Sequence, residues 1–503
     1  MKIFTTEQIR AWDAYTIKYE PITSLALMNR AATAFADWFA GVYRDTERPV
    51  FVFAGTGNNG GDGVAVARLL HQRFFSVKVF VCDFNNKHSP DFDAQINELP
   101  RGAAVAVHRL NSAAGAPRLP DNALVIDALF GSGLSRALDG EWATIIDVLN
   151  RANREIIAID LPSGLFADAY SDGPCIQAAR TFSFEIPKYA FFFPENAGRV
   201  GEWAFGGIGL HPAFAAATET PFNYLTRQEA QALVRRRPVF SHKGTYGHAL
   251  LCNGSQGKMG AAVLAARACL RSGVGLLSLQ TPGCGYSILQ STVPEAMCRV
   301  DRHEQVWSEL PDTARFTAVG AGCGIGLEKE TAAVLERLLL NAQIPLVLDA
   351  DALNLLAGHS EWWRFLPKNT LLTPHPKEFE RLFGATENSI ARNALQRRKA
   401  QQLGVYIILK GAYTAIACPD GSCWFNSTGN PGMATGGTGD ALTGILTGLL
   451  AQGYPPHDAA LLGVYLHGLA GDLAARSRSQ AGMTAGDVID HLGAAWLELD
   501  ARA

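Results

Sequence analysis

The chain has 503 residues, 48% hydrophobic and 18% charged, enough for two large or three small domains with their own cores. That composition excludes a disordered or low-complexity protein. A formal charge of −3, from 44 basic and 47 acidic residues, gives no electrostatic reason to expect a nucleic acid, so a small soluble ligand is the first expectation. Nine scattered cysteines contain no CxxC pair and indicate neither a zinc site nor a disulfide scaffold. The opening MKIFTTEQIRAWDAY has no signal-like pattern, and no apolar run reaches about 18 residues. No membrane association is expected, and the cytoplasm is the expected compartment.

A helical opening is expected over Thr5–Val42, then an apolar strand in PVFVFAGTGNNGGDG and a helix over Asp62–His71. Apolar runs at Val77–Cys82, Leu124–Asp127 and Ile156–Asp160, separated by helix-length intervals, predict a mostly parallel sheet covered on both faces. The aromatic, proline-broken segment TFSFEIPKYAFFFPENAGRVGEW reads as edge strands and closing loops. The pattern resets near 215–225, so domains are expected at 1–218 and 225–503. After a short helix at Arg227–Arg235, the second half predicts strands at His248–Cys252, Leu276–Gln280, Phe316–Val319, Leu346–Asp349, Thr370–Thr373 and Val405–Lys410. A long alanine-rich helix is expected from about Gly260 to Arg271. Both halves read as α/β.

Three loops of the first half follow predicted strands. GTGNNGGDG offers Asn58, Asn59 and Asp62 in a glycine-lined turn where backbone N–H groups face an anion or sugar. Asp127 and Asp160 end two further strands, and in an open parallel sheet such ends converge on one crevice. Their oxygens suit a hard cation. Asp127 as a helix cap is the plainer alternative. Asp160 precedes Leu161–Pro162, which holds the carboxylate at a strand tip, where it could move a proton.

The strongest signal is NPGMATGGTGDALTGILTGLL, Asn430–Leu450. Glycines at 436, 437 and 439 make a donor-rich turn at a helix start, beside Asp440. Phosphoryl transfer needs that pairing of anion hole and carboxylate. Lys410–Thr414 follows a strand and is expected to hold an adenine nucleotide, with Lys410 near phosphate. His375, in TPHP, binds substrate or stiffens its turn. The loops NGSQGKMG and VGAGCGIG, and Asp349, Asp351 and Asn354 of VLDADALNLL, also follow strands.

These motifs together carry a resemblance. NNGGDG, DALFGSGLSR and DLPSG in the first half, with KGTYGH, GSQGKMGAAVLA, DADALNLL, TPHPKEFERL and NPGMATGGTGD in the second, resemble the bifunctional NAD(P)H-hydrate repair enzymes over nearly the whole chain. The resemblance implies a Rossmann-like three-layer epimerase domain and a ribokinase-like three-layer dehydratase domain. It implies that Asn58, Asn59, Gly60, Gly61 and Asp62, with Gly131, Ser132, Gly133, Leu134, Ser135, Arg136 and Ala137, contact the hydrated dinucleotide. Asn59, Asp127 and Ser163 would hold K+, and Asp160 would contact substrate and move the proton. In the second half Ala262, Gly324, His375 and Asp440 would line the hydrate site. Lys410, Gly411, Ala412, Tyr413, Thr414 and Gly439 would hold the nucleotide, and Gly436, Gly437, Thr438, Gly439 and Asp440 would supply the anion hole and base. NADHX and NADPHX are the implied substrates, ADP the co-substrate with Mg2+, and a homo-oligomer the expected assembly. Two departures stand out: Lys377 follows TPHP where the family has glycine, and SGLFAD puts Phe166 at the usual acidic position, with Asp168 two places on. The rival readings are a ribokinase-like small-molecule kinase with a nucleotide-binding first domain, and a non-catalytic nucleotide-binding scaffold.

Overall fold

The computed structural model describes residues 1–99 and 105–500, and the chain divides into two compact units, Lys2–Thr220 and Pro221–Ala503, with Met1 joining the latter. The first unit is built on seven parallel strands: β1 (Val50–Ala54), β2 (Val77–Cys82), β3 (Ala106–Leu110), β4 (Leu124–Ala128), β5 (Glu155–Ile159), β6 (Arg180–Phe184) and β7 (Glu202–Gly206). Their order is β3-β2-β1-β4-β5-β6-β7. Every residue of β1 and β4 is buried, which is why both read as unbroken apolar runs rather than alternating ones. The strand order reverses between β1 and β4, and the ligand crevice of such a sheet lies beyond the carboxyl ends of those strands.

The second unit holds β8 (Phe222–Leu225), β9 (His248–Cys252), β10 (Leu276–Thr281), β11 (Met297–Val300), β12 (Ala318–Ala321), β13 (Leu346–Leu348), β14 (Leu371–Leu372), β15 (Tyr406–Leu409), β16 (Ala415–Ala417) and β17 (Cys423–Asn426). They form one sheet in the order β11-β10-β9-β12-β13-β14-β15-β16-β17-β8. The run from β11 to β15 is parallel, while β16 is antiparallel to both its neighbours. β17 therefore points the same way as β15, and the ends of β13, β14, β15 and β17 open on one side.

The small-residue pattern after Asp440 has a packing cause. Helix Thr438–Ala451 is buried from Ala441 onward and lies against helix Met259–Arg271. A Cβ on Gly444 would stand 2.1 Å from the Ala265 carbonyl oxygen, and one on Gly448 would stand 1.9 Å from Ser272 Oγ. Glycines four apart clear one stripe of the helix for this backbone approach. Among the described residues, no helix is long and apolar enough to cross a membrane.

Candidate active sites

In the first unit a cavity of about 580 Å³ opens at the strand-order reversal. The chain turns at Gly57 into helix Asn58–Gln72, four residues earlier than the periodicity predicts. Asn58, Asn59 and Asp62 line the cavity, with the loop Gly131–Arg136 opposite. Gly60, Gly61 and Ala137 do not. A Cβ on Gly60 would sit 1.8 Å from the Gly55 carbonyl oxygen and one on Gly61 2.8 Å from the Met28 thioether, so these glycines serve packing. Ala137 packs instead at Gly173. Arg10, Lys87 and Arg136 add positive charge to the wall, beside the N–H groups of a helix start, which suits a dinucleotide's phosphates.

Asp160 sits at the end of β5 with a backbone φ of 65°, a left-handed conformation that side-chain-bearing residues rarely adopt. Its Oδ1 accepts from Phe184 N at 3.1 Å and lies 2.7 Å from Lys188 Nζ. Lys188 is 1% exposed, and its ammonium also donates to Ser183 Oγ at 2.8 Å. Asp13 lines the same wall. Burial, and then the Asp160 charge, push its carboxyl up to about 7 against the pull of Lys188. Burial and the same neighbouring acids also raise Asp62 well above the ordinary carboxylate range. Asp13 and Asp62 thus share one cavity wall with Asp160, and the charge of Asp160 disfavours ionisation of both.

Asp127 is a strand residue and caps no helix. Its Oδ1 accepts from Ser163 Oγ at 2.6 Å and Leu129 N at 3.2 Å, and its Oδ2 accepts from Ser163 N at 2.8 Å. Burial nevertheless pushes its carboxyl up to about 6. Asn59 packs against Gly131, and its buried amide nitrogen has no hydrogen-bond partner. The buried Asp127 carboxylate with the Ser163 hydroxyl, and the Asn59 amide beside Gly131, are oxygen donors of the kind a monovalent cation takes.

In the second unit a cavity of about 1020 Å³ is walled by His375, Lys410–Thr414, Asn426–Pro431 and Gly436–Asp440, with Asp349 and His467. Gly437 caps the helix at φ 93°, so the donor end of the helix backbone begins at the cavity wall. A Cβ on Gly439 would lie 3.4 Å from Lys410 Nζ and 3.6 Å from Asp349 Oδ2. Lys410 donates to Asp349 Oδ1 at 2.7 Å and lies 3.9 Å from Glu378. Asp440 is the third residue of the helix, not its cap; burial, and in smaller part the Asp349 charge, push its carboxyl up to about 6. His375 stiffens its turn and also stands at the cavity wall. Its Nδ1 accepts from Lys377 N at 3.1 Å, capping helix Pro376–Phe383, while the ring stays at the cavity wall. Lys377, the departure in that loop, contributes only its backbone to this cap.

A family model described as NAD(P)H-hydrate dehydratase matches residues 249–493, and one described as YjeF-related protein N-terminus matches residues 24–190. The bifunctional NAD(P)H-hydrate repair enzyme Nnr of Moorella thermoacetica is 36% identical, covering 98% of this chain and 96% of that one. This chain belongs to the bifunctional NAD(P)H-hydrate repair enzyme family. The Escherichia coli family member is 32% identical over 97% of this chain and 93% of its own. A Bacillus subtilis ADP/ATP-dependent NAD(P)H-hydrate dehydratase, crystallised with ATP and Mg2+, is 36% identical with a TM-score of 0.50, covering 55% of this chain and 98% of that one. The Rossmann-like and ribokinase-like α/β architectures expected from the motifs are both present.

Within this repair-enzyme chain, Ala262 and Gly324 are not at the cavity wall. Ala262 is 2% exposed beneath Gly254, and Gly324 holds Ser255 Oγ through its carbonyl at 2.8 Å and packs on Lys258. Sequence reasoning missed Asp13, Lys188 and Glu378. Each looks like an ordinary charged residue of a helix or loop until the fold buries Lys188 and Glu378 and half-buries Asp13.

Proposed function

We propose that the Lys2–Thr220 unit epimerises (R)- to (S)-NAD(P)HX and that the Pro221–Ala503 unit dehydrates (S)-NAD(P)HX with ADP. In the second reaction Asp440 accepts the proton of the ring hydroxyl, whose oxygen attacks the β-phosphorus of ADP as the bond to AMP breaks. The phosphate ester then leaves as inorganic phosphate while the neighbouring ring carbon loses a proton, restoring NAD(P)H. The observation that carries this reading is the convergence at Gly439: a helix start, the Lys410 ammonium and the Asp440 carboxylate meet at one cavity wall, with Lys410 Nζ within van der Waals reach of the Gly439 position.

In the first unit, Asp160 would exchange the proton, held by Lys188. Asn59, Asp127 and Ser163 would hold K+, which would neutralise the buried Asp127 charge and fix the loops on either side. The residues of the second site do not make a magnesium cage. Among the described residues no three His, Cys, Asp or Glu side chains converge for a metal, and Asp349 and Glu378 face Lys410. Mg2+ would therefore arrive on the phosphates of ADP. Nine cysteines, none in a disulfide, suit the cytoplasm. Assembly as a homo-oligomer rests on the resemblance, and light scattering tests it.

Incubating the chain with mixed-epimer hydrate and ADP tests the pair of activities. Both epimers should return as reduced cofactor, with one AMP per molecule repaired. A dependence on ATP with ADP released and no reduced cofactor would favour a kinase instead.

A further inference from the structure

Asp349 ends β13 and begins helix Ala350–Gly358, and its carboxylate is held on three sides. Oδ1 accepts from Ala350 N at 2.9 Å and Lys410 Nζ at 2.7 Å, while Oδ2 accepts from Thr443 Oγ1 at 2.8 Å. Its side chain is 2% exposed, against 22% for Lys410. Thr443 lies one turn beyond Gly439, so a single carboxylate ties the lysine to the helix whose start forms the glycine turn. The cap alone needs no charge, because an amide caps as well. The charge must therefore be accounted for by what it faces, and that is the ammonium.

We infer that Asp349 is a positioning residue for nucleotide binding: it fixes Lys410 Nζ beside Gly439 and keeps it protonated in a site that burial makes hostile to charge. This rests on the reading of the cavity as the ADP site. Burial pulls the Lys410 pKa down, and the Asp349 and Glu378 carboxylates more than reverse it. The other groups facing the lysine are the Cys323 thiol after β12, His375 at the start of helix Pro376–Phe383, Asp440 on helix Thr438–Ala451, and His467 on helix Pro456–Arg478. Burial pushes the His467 ring down to about 4 and lowers His375 as well, so neither is a cation at neutral pH. Lys410 is the charge the phosphates meet, and Asp349 is its nearest counter-ion.

The test is ADP affinity against pH, measured calorimetrically on the full chain without hydrate, so that turnover does not enter. Wild type should hold its affinity from about pH 7.5 to about pH 9, above the titration of Asp440 and of the phosphate. Asp349→Asn keeps the cap and removes the charge. It should match wild type within about threefold at the acid end and lose about tenfold by the alkaline end, as the unsupported lysine gives up its proton. Adding Lys410→Arg to that variant should remove the pH dependence, because a guanidinium stays charged. A loss that is the same at every pH, or an alkaline loss that arginine leaves in place, would overturn the inference. A wild-type chain that binds no ADP would overturn the nucleotide reading, and the inference with it.

Discussion

In the proposed dehydration Asp440 serves as the base: burial holds its carboxyl near 6, so it is ionised at neutral pH and still basic enough to take a hydroxyl proton. Asp440→Asn should lower the dehydration rate by about a hundredfold or more while ADP binding remains. The wild-type rate should fall as pH drops through about 6, where the carboxylate is lost. Asp127 supports a different expectation. Its folded pKa of about 6 lies above the ordinary 3.8, so its contribution to stability is present below the lower value and lost as pH rises through the higher. Added K+ should therefore raise the melting temperature of the first unit more at pH 8 than at pH 5, with choline chloride as the control for ionic strength. Equal shifts at both pH values would leave Asp127 out of the cation site. Asp127 and Asp160 were legible in the sequence because each ends an apolar run. Lys188 was not: a lysine in a loop gives no sign that it will be 1% exposed, and only the return of β6 beside β5 puts it on Asp160.

Long apolar strands and glycine turns were readable because burial on both faces leaves an unbroken hydrophobic run. β3, β8, β11, β16 and β17 escaped notice. β3 reads AVHRL and β11 reads MCRV, each with several solvent-facing positions, while β16 has only three residues, too few for any period. The glycine loops were legible as loops, but the division of labour within them was not. In NNGGDG the side chains of Asn58, Asn59 and Asp62 face the cavity, whereas Gly60 and Gly61 face the protein, a difference that depends on what stands behind the turn. The same applies after Asp440. Gly444 and Gly448 read as part of the helix that follows the turn, and their place there serves the contact with helix Met259–Arg271. Gly444→Ala should cost about 1–3 kcal/mol of overpacking. It should lower the melting temperature of the second unit, with the ADP affinity of the folded fraction unchanged. An unaltered melting temperature would mean the two helices have room to part.

The chain carries two sheets, each with its own reversal of strand order and its own cavity at the carboxyl ends of its strands. The chemistry asked of the two cavities differs, and so do their walls. The first brings Asp13, Asp62 and Asp160 to one wall, with Asp160 paired to the buried Lys188. The second sets Lys410 and a helix start among the carboxylates of Asp349, Glu378 and Asp440. If each cavity does its own reaction, removing the acid of one should leave the other intact. Asp160→Ala, supplied with mixed-epimer hydrate and excess ADP, should return the S fraction as reduced cofactor at the wild-type rate. The R fraction should then follow only as fast as it epimerises unaided. Prompt recovery of both epimers by that variant would contradict the assignment of epimerisation to Asp160, and a loss of S repair would contradict the separation of the two activities.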